Sequence, residues 1–214
     1  MPAPSTPARP EGRRRYVLDV ATTRTKTFFI TDDPEADTLL AKEPLALLIG
    51  MLLDQQVSME LAFAGPLKLH QRLGGLDAAA IAAMDPDAFA AVCCEKPAIH
   101  RFPSSMAKRT QELCQALVDG YGGKADRVWK GARNGAELVA RLEALPGFGK
   151  EKSRIFAAVL GKRVGVRPQG WEAAAAPFAD EQPRSVADAV DQAALAEVRV
   201  WKRAKKAAGR AKSD

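Results

Sequence analysis

In the stretch "LEALPGFGKEKSRIFAAV", residues 142–159, two glycines stand one residue apart behind a proline, and two lysines and an arginine follow closely. Pro146 cannot continue a helix, while Gly147 and Gly149 accept backbone angles closed to other residues and leave their N–H groups without side-chain cover. Bare amides at a helix start attract phosphate oxygens, because the helix dipole and the unpaired N–H groups both favour an anion there. Lys150, Lys152 and Arg154 add cationic side chains at the same place. The chain has neither a Walker lysine followed by Ser or Thr nor G-x-G-x-x-G spacing, so the pattern favours a DNA backbone over a free nucleotide.

A second stretch has chemical potential of another kind. In "LLDQQVSMELA", residues 52–62, an apolar run ends on the paired amides Gln55 and Gln56. A glutamine amide is planar and carries two donors and an acceptor, so it can face an orphaned base of almost any identity.

Together the two stretches resemble the helix-hairpin-helix DNA glycosylase superfamily, which includes endonuclease III and the alkyladenine glycosylases. "LPGFGKEKS" is similar to its DNA-binding hairpin, and "LLDQQVSMELA" to its early-helix segment, with about 90 residues between them. The resemblance covers roughly residues 34–180. It implies an all-α bundle that binds duplex DNA carrying a damaged base. Gly147, Gly149, Lys150 and Lys152 would hold phosphate. Gln56 would be the wedge or pocket-edge residue, with Gln55 beside it.

Excision would require more. Breaking the bond between base and sugar builds oxocarbenium-like charge, which a nearby carboxylate stabilises. By count from Pro146, the superfamily's aspartate falls here at one of Pro168, Gln169 or Gly170, and none of these carries charge. Glu172, two residues after Gly170, and Asp54, beside the glutamines, are the candidate substitutes. Trp171 is the nearest aromatic to the cavity the resemblance implies and would either stack on a flipped base or pack in the core. The superfamily's lyase lysine is replaced by Glu151, so a β-lyase step has no group to carry it. Its iron–sulfur ligands are missing from a chain with three cysteines, and no cofactor or metal is expected. The rival reading is a non-catalytic damage-sensing or architectural DNA-binding protein that keeps the scaffold without its acid.

The elements that must position these residues read as helices. Leu138, Leu142 and Leu145 fall on one face before the interruption, and Ile155, Phe156 and Val159 resume the pattern after it. "PLALLIGMLL" (44–53) reads as a buried helix, too short to cross a bilayer. Asp85 with Pro86 marks a helix start, as do Ser104 or Ser105, Asn134 with Glu137, and Ser185 with Asp188. Only "YVLDVATTRTKTFFIT" (16–31) is β-branched and aromatic enough for one or two short strands. The expected organisation is a flexible basic tail over 1–15, a glycosylase-like domain over 16–198 and a basic tail over 199–214.

Composition agrees with a folded, DNA-directed chain. Of 214 residues, 47% are hydrophobic and 27% charged, values that indicate neither a disordered nor a membrane protein. The net charge of +6 favours polyanions. Residues 199–214 alone carry seven basic groups and one acidic. Cys93, Cys94 and Cys114 form an odd set and are expected as reduced thiols. The Pro-rich, basic N-terminus lacks the apolar centre of a secretory signal, so a cytoplasmic location is expected, at the nucleoid if the source is bacterial.

Overall fold

The structure is a computed structural model that describes residues 28–209. Among these the regular structure is helical, and the only β-type pairing is an isolated parallel bridge between Asn134 and Gln169. Residues 16–27 of the expected strand segment lie outside the described residues. Phe28–Thr31 is irregular for a clear reason: the N–H groups of Ile30 and Thr31 donate to the carboxylate of Asp37, at 3.2 and 3.1 Å, rather than to a neighbouring strand.

The helices run α1 (Pro34–Lys42), α2 (Pro44–Leu53), α3 (Met59–Leu73), α4 (Ala78–Ala83), α5 (Pro86–Cys94) and α6 (Pro103–Tyr121). They continue with α7 (Arg127–Lys130), α8 (Gly135–Glu143), α9 (Lys150–Val159), α10 (Trp171–Ala175) and α11 (Gln192–Ala207). α2 is the apolar run read from the sequence, and every residue from Leu45 to Leu53 is buried. Helix α2 packs on α1, α3 and α6, while α4 and α5 lie along α6. The hairpin pair α8 and α9 packs with α10.

Several helix starts follow local chemistry. Asp85 accepts from the N–H groups of Asp87 and Ala88 at α5, and Asn134 accepts from Glu137 at α8. The Glu137 carboxylate turns back to the N–H and guanidinium of Arg133 instead of completing a box with Asn134. Helix α6 begins before either expected serine: Pro103 occupies its first turn, because its fixed φ is already helical, and Phe102 stands at the cap. The Ser185–Asp188 box forms, yet it closes only a 3-10 turn, Val186–Asp188. Asp191 caps the last helix, accepting from Ala194 N–H at 2.8 Å.

α11 carries the chain past residue 199, where the sequence reading placed the start of a tail, because Leu195 and Val198 are anchored in the core. Lys162 braces the region beneath it, bonded to the Asp180 carbonyl and, at 2.5 Å, to the Asp188 carboxylate. Cys93 and Cys114 are buried, and burial pushes both thiols up to about 12, so neither supplies a thiolate at neutral pH.

Candidate nucleic-acid interface

The apolar residues of α8 and α9 set the hairpin. Leu138, Leu142, Leu145, Ile155, Phe156 and Val159 are all buried. Phe148, at the tip of the turn, folds inward onto Phe156, with ring centroids 5.9 Å apart and edge to face, and Trp129 meets Phe156 from another side in the same manner. With its one large side chain turned inward, the turn presents backbone. Gly147 and Gly149 are both exposed, and Pro146 is half-buried.

The two glycines do different work. Gly147 has φ +80°, a left-handed conformation, and a Cβ there would stand 2.4 Å from Cδ1 of Leu52. Gly149 caps α9 in an extended conformation, with φ −84° and ψ 174°, with no side chain closing the helix start and open space around it. The first amides of α9 therefore face outward at an exposed turn.

Leu52 is the hub that joins hairpin to glutamine loop. Its carbonyl accepts from Lys152 Nζ at 2.9 Å and from Gln55 Nε2 at 2.8 Å. The ammonium of Lys152 lies 5.9 Å from the Phe148 ring centroid. The structure thus directs Lys152 inward as a strut, while Lys150 and Arg154 are exposed on the turn's outer side.

The neighbouring glutamines are separated in the same way. Gln55 is clamped: its side-chain carbonyl accepts from Arg109 at 2.6 Å, and its main-chain carbonyl accepts from His100 Nε2 at 3.0 Å. His100 Nδ1 in turn accepts from Phe102 N–H, which fixes the tautomer and accounts for both ring nitrogens of this buried histidine. Gln56 is exposed and has φ +58°, the only described non-glycine residue with positive φ. A long side chain held in the left-handed region costs about 1–2 kcal/mol and persists only where its surroundings fix the backbone. Arg109 and His100 supply that constraint, and composition and periodicity pointed to neither.

The two carboxylate candidates stand on different elements. Asp54 is half-buried and closes α2, one residue before the clamped Gln55. Glu172 is exposed in the first turn of α10. The stretch where the superfamily's aspartate would fall is occupied by backbone structure: Gln169 O accepts from Gly135 N–H at 2.8 Å, and Pro168 O from Trp171 N–H at 3.0 Å. Trp171 is buried with its ring against Gly161, where a Cβ would meet ring carbons 2.2 Å away, and Arg167 stands 5.8 Å from its ring centroid. Among the described residues no three of His, Cys, Asp or Glu gather as a metal ion would need.

A helical fold presenting a bare glycine turn beside an exposed glutamine loop defines a helix-hairpin-helix protein. The sequence matches the profile of the HhH-GPD superfamily of base excision DNA repair proteins over residues 49–213, more than three-quarters of the chain, and the chain belongs to that superfamily. A solved structure described as a thermostable thymine-DNA glycosylase aligns at 13% identity and a TM-score of 0.39, covering 78% of this chain and 75% of that one. No curated protein matches. Membership carries a DNA-binding, glycosylase-like role in base excision repair.

Proposed function

We propose that this protein binds duplex DNA across the α8–α9 turn, extrudes a damaged base with Gln56 in its place, and breaks the bond between base and sugar without cutting the strand. The observation that carries the reading is the pairing of two exposed elements through Leu52: the uncapped start of α9 at Gly149, and Gln56 held in a strained conformation. Extrusion costs a few kcal/mol of stacking and pairing, and an amide inserted in the gap offsets part of it.

The chain's own groups constrain the chemistry. Asp54, beside the clamped loop, is the carboxylate nearest in sequence to the probing residue, and Glu172 is the alternative. A positioned acid or base contributes roughly 10² to 10⁴ in rate, so an enzyme without the usual aspartate suits a base that already leaves well, such as a cationic alkylated purine.

The test is incubation of the protein with duplexes bearing alkylated, deaminated or oxidised bases, followed by alkali to reveal abasic sites. Alkali-labile sites from an alkylated duplex, lost in Asp54→Asn or Glu172→Gln, support excision and name the acid. Cleavage before alkali would contradict a monofunctional reaction. If about five phosphates are neutralised, the logarithm of affinity falls with log salt at a slope of about −4 to −5. A flat salt response removes DNA from the partners.

A second reading has its own support. Residues 168–170 supply no carboxylate and their backbone is tied to Gly135 and Trp171, which suits a damage sensor that binds without cutting. Lesion-selective binding with no abasic product from any duplex favours that reading.

A further inference from the structure

The loop carrying Gln56 is gripped at both ends by other parts of the chain. At its start Leu52 meets the hairpin through Lys152 and Gly147. At its end α11 closes on the first turn of α3: Arg199 Nε donates to Glu60 Oε1 at 2.6 Å, and Lys202 Nζ lies 3.5 Å from Met59 Sδ. Between loop and helix is an open cavity of about 310 Å³, with Val57, Ser58 and Glu60 on one wall and Arg199, Lys202 and Arg203 on the other.

We propose that this cavity seats a phosphate of the DNA strand that crosses Gln56, making α11 a second jaw of the interface; the inference rests on the DNA-binding function proposed above. Arg199, Lys202 and Arg203 are spaced i, i+3 and i+4, so they share one face of α11, and the apolar Leu195 and Val198 fix that helix in the core. Among the described residues that line the cavity, three are cations and one is a carboxylate, Glu60, which Arg199 engages together with Asp32. Among the described residues no aromatic ring lines the cavity, so they offer an extruded base nothing to stack on, whereas they offer phosphate oxygens charged donors. The cavity is the right size and sign for a backbone phosphate with part of its sugar. A strand running over Gln56 would thus be held by main-chain amides at the Leu52 end and by side-chain cations at the Glu60 end.

The experiment is fluorescence anisotropy of the full chain with a fluorescein-labelled duplex carrying a central tetrahydrofuran abasic analogue, repeated across a potassium chloride series. Lys202→Gln with Arg203→Gln is compared with Lys96→Gln and Lys124→Gln, which removes equal charge from exposed loops elsewhere. The α11 pair should flatten the log–log salt slope by about one for each phosphate left without its cation, and the control pair should leave it unchanged. Arg203 is exposed, so Arg203→Gln alone keeps the fold and should flatten the slope in the same direction. Equal slopes in all variants, with wild-type binding intact and Gly149→Ser binding weakened, overturn the α11 seat and leave the hairpin reading standing. A wild-type chain that ignores DNA at every salt concentration overturns both.

Discussion

Gly147 lies so close to Leu52 that a Cβ on the glycine would sit 2.4 Å from the leucine's Cδ1. Leu52 is fully buried, so the hairpin turn seats directly on a core residue of α2. Gly147→Ala would combine a left-handed conformation costing about 1–2 kcal/mol with overpacking of a further 1–3 kcal/mol. The expected loss is about 3 kcal/mol, read as a lower urea midpoint at unchanged slope. An alanine variant as stable as the wild type would mean the turn is not seated on Leu52.

Gly149 separates stability from DNA binding. Its extended backbone and open surroundings accept serine, whose hydroxyl would cap the first amides of α9 and add a few tenths of a kcal/mol. Those same amides are the ones assigned to phosphate. Gly149→Ser should therefore melt higher while binding duplex DNA more weakly. Tighter binding in the stabilised variant would show that the amides do not hold the phosphate.

Much of this arrangement was legible in the sequence, and what was not had physical causes. The apolar run of α2 and the leucine and phenylalanine spacing around Pro146 are local patterns, and burial follows them residue for residue. The inward course of Lys152 was also within reach: two residues along a helix is a turn of about 200°, so an exposed Lys150 places Lys152 on the opposite face. The clamp on Gln55 was not, because His100 and Arg109 come from 45 and 54 residues away and meet it only after the helices pack. The extent of α11 was partly visible in Leu195 and Val198, but a dense run of cations reads equally well as a solvated tail.

The Arg199–Glu60 pair that ties α11 to the glutamine loop should make that tie sensitive to acid. Burial pushes the Glu60 carboxyl up, but the Arg199 guanidinium, its own N–H and the Ser58 hydroxyl outweigh burial and hold it below its ordinary 4.5. A depressed carboxyl stabilises the fold above the unfolded value, and that contribution disappears as pH falls through the folded value. Both partners are partly exposed, so the amount is about 0.5–1 kcal/mol. Denaturant titrations of wild type and Glu60→Gln should converge as pH drops below 4.5 and differ above it. A difference that persists unchanged into acid would assign the tie to packing alone.

Gln56 offers the sharpest test of the probing role, because its backbone strain and its side-chain function can be removed together and read apart. Gln56→Gly relieves a left-handed conformation costing about 1–2 kcal/mol and adds about 0.5–1 kcal/mol of unfolded-chain entropy, so stability should hold or rise slightly. The amide that would fill the gap left by an extruded base is gone, however, and with it the energy that offsets unstacking. The ratio of affinities for abasic-analogue and undamaged duplexes should fall toward one, while affinity for undamaged DNA and its salt dependence remain, since those belong to the turn at Gly149 and to the surface cations. A variant that melts as well as the wild type yet keeps its preference for damaged duplex would remove Gln56 from the probing role and direct attention to the clamped Gln55.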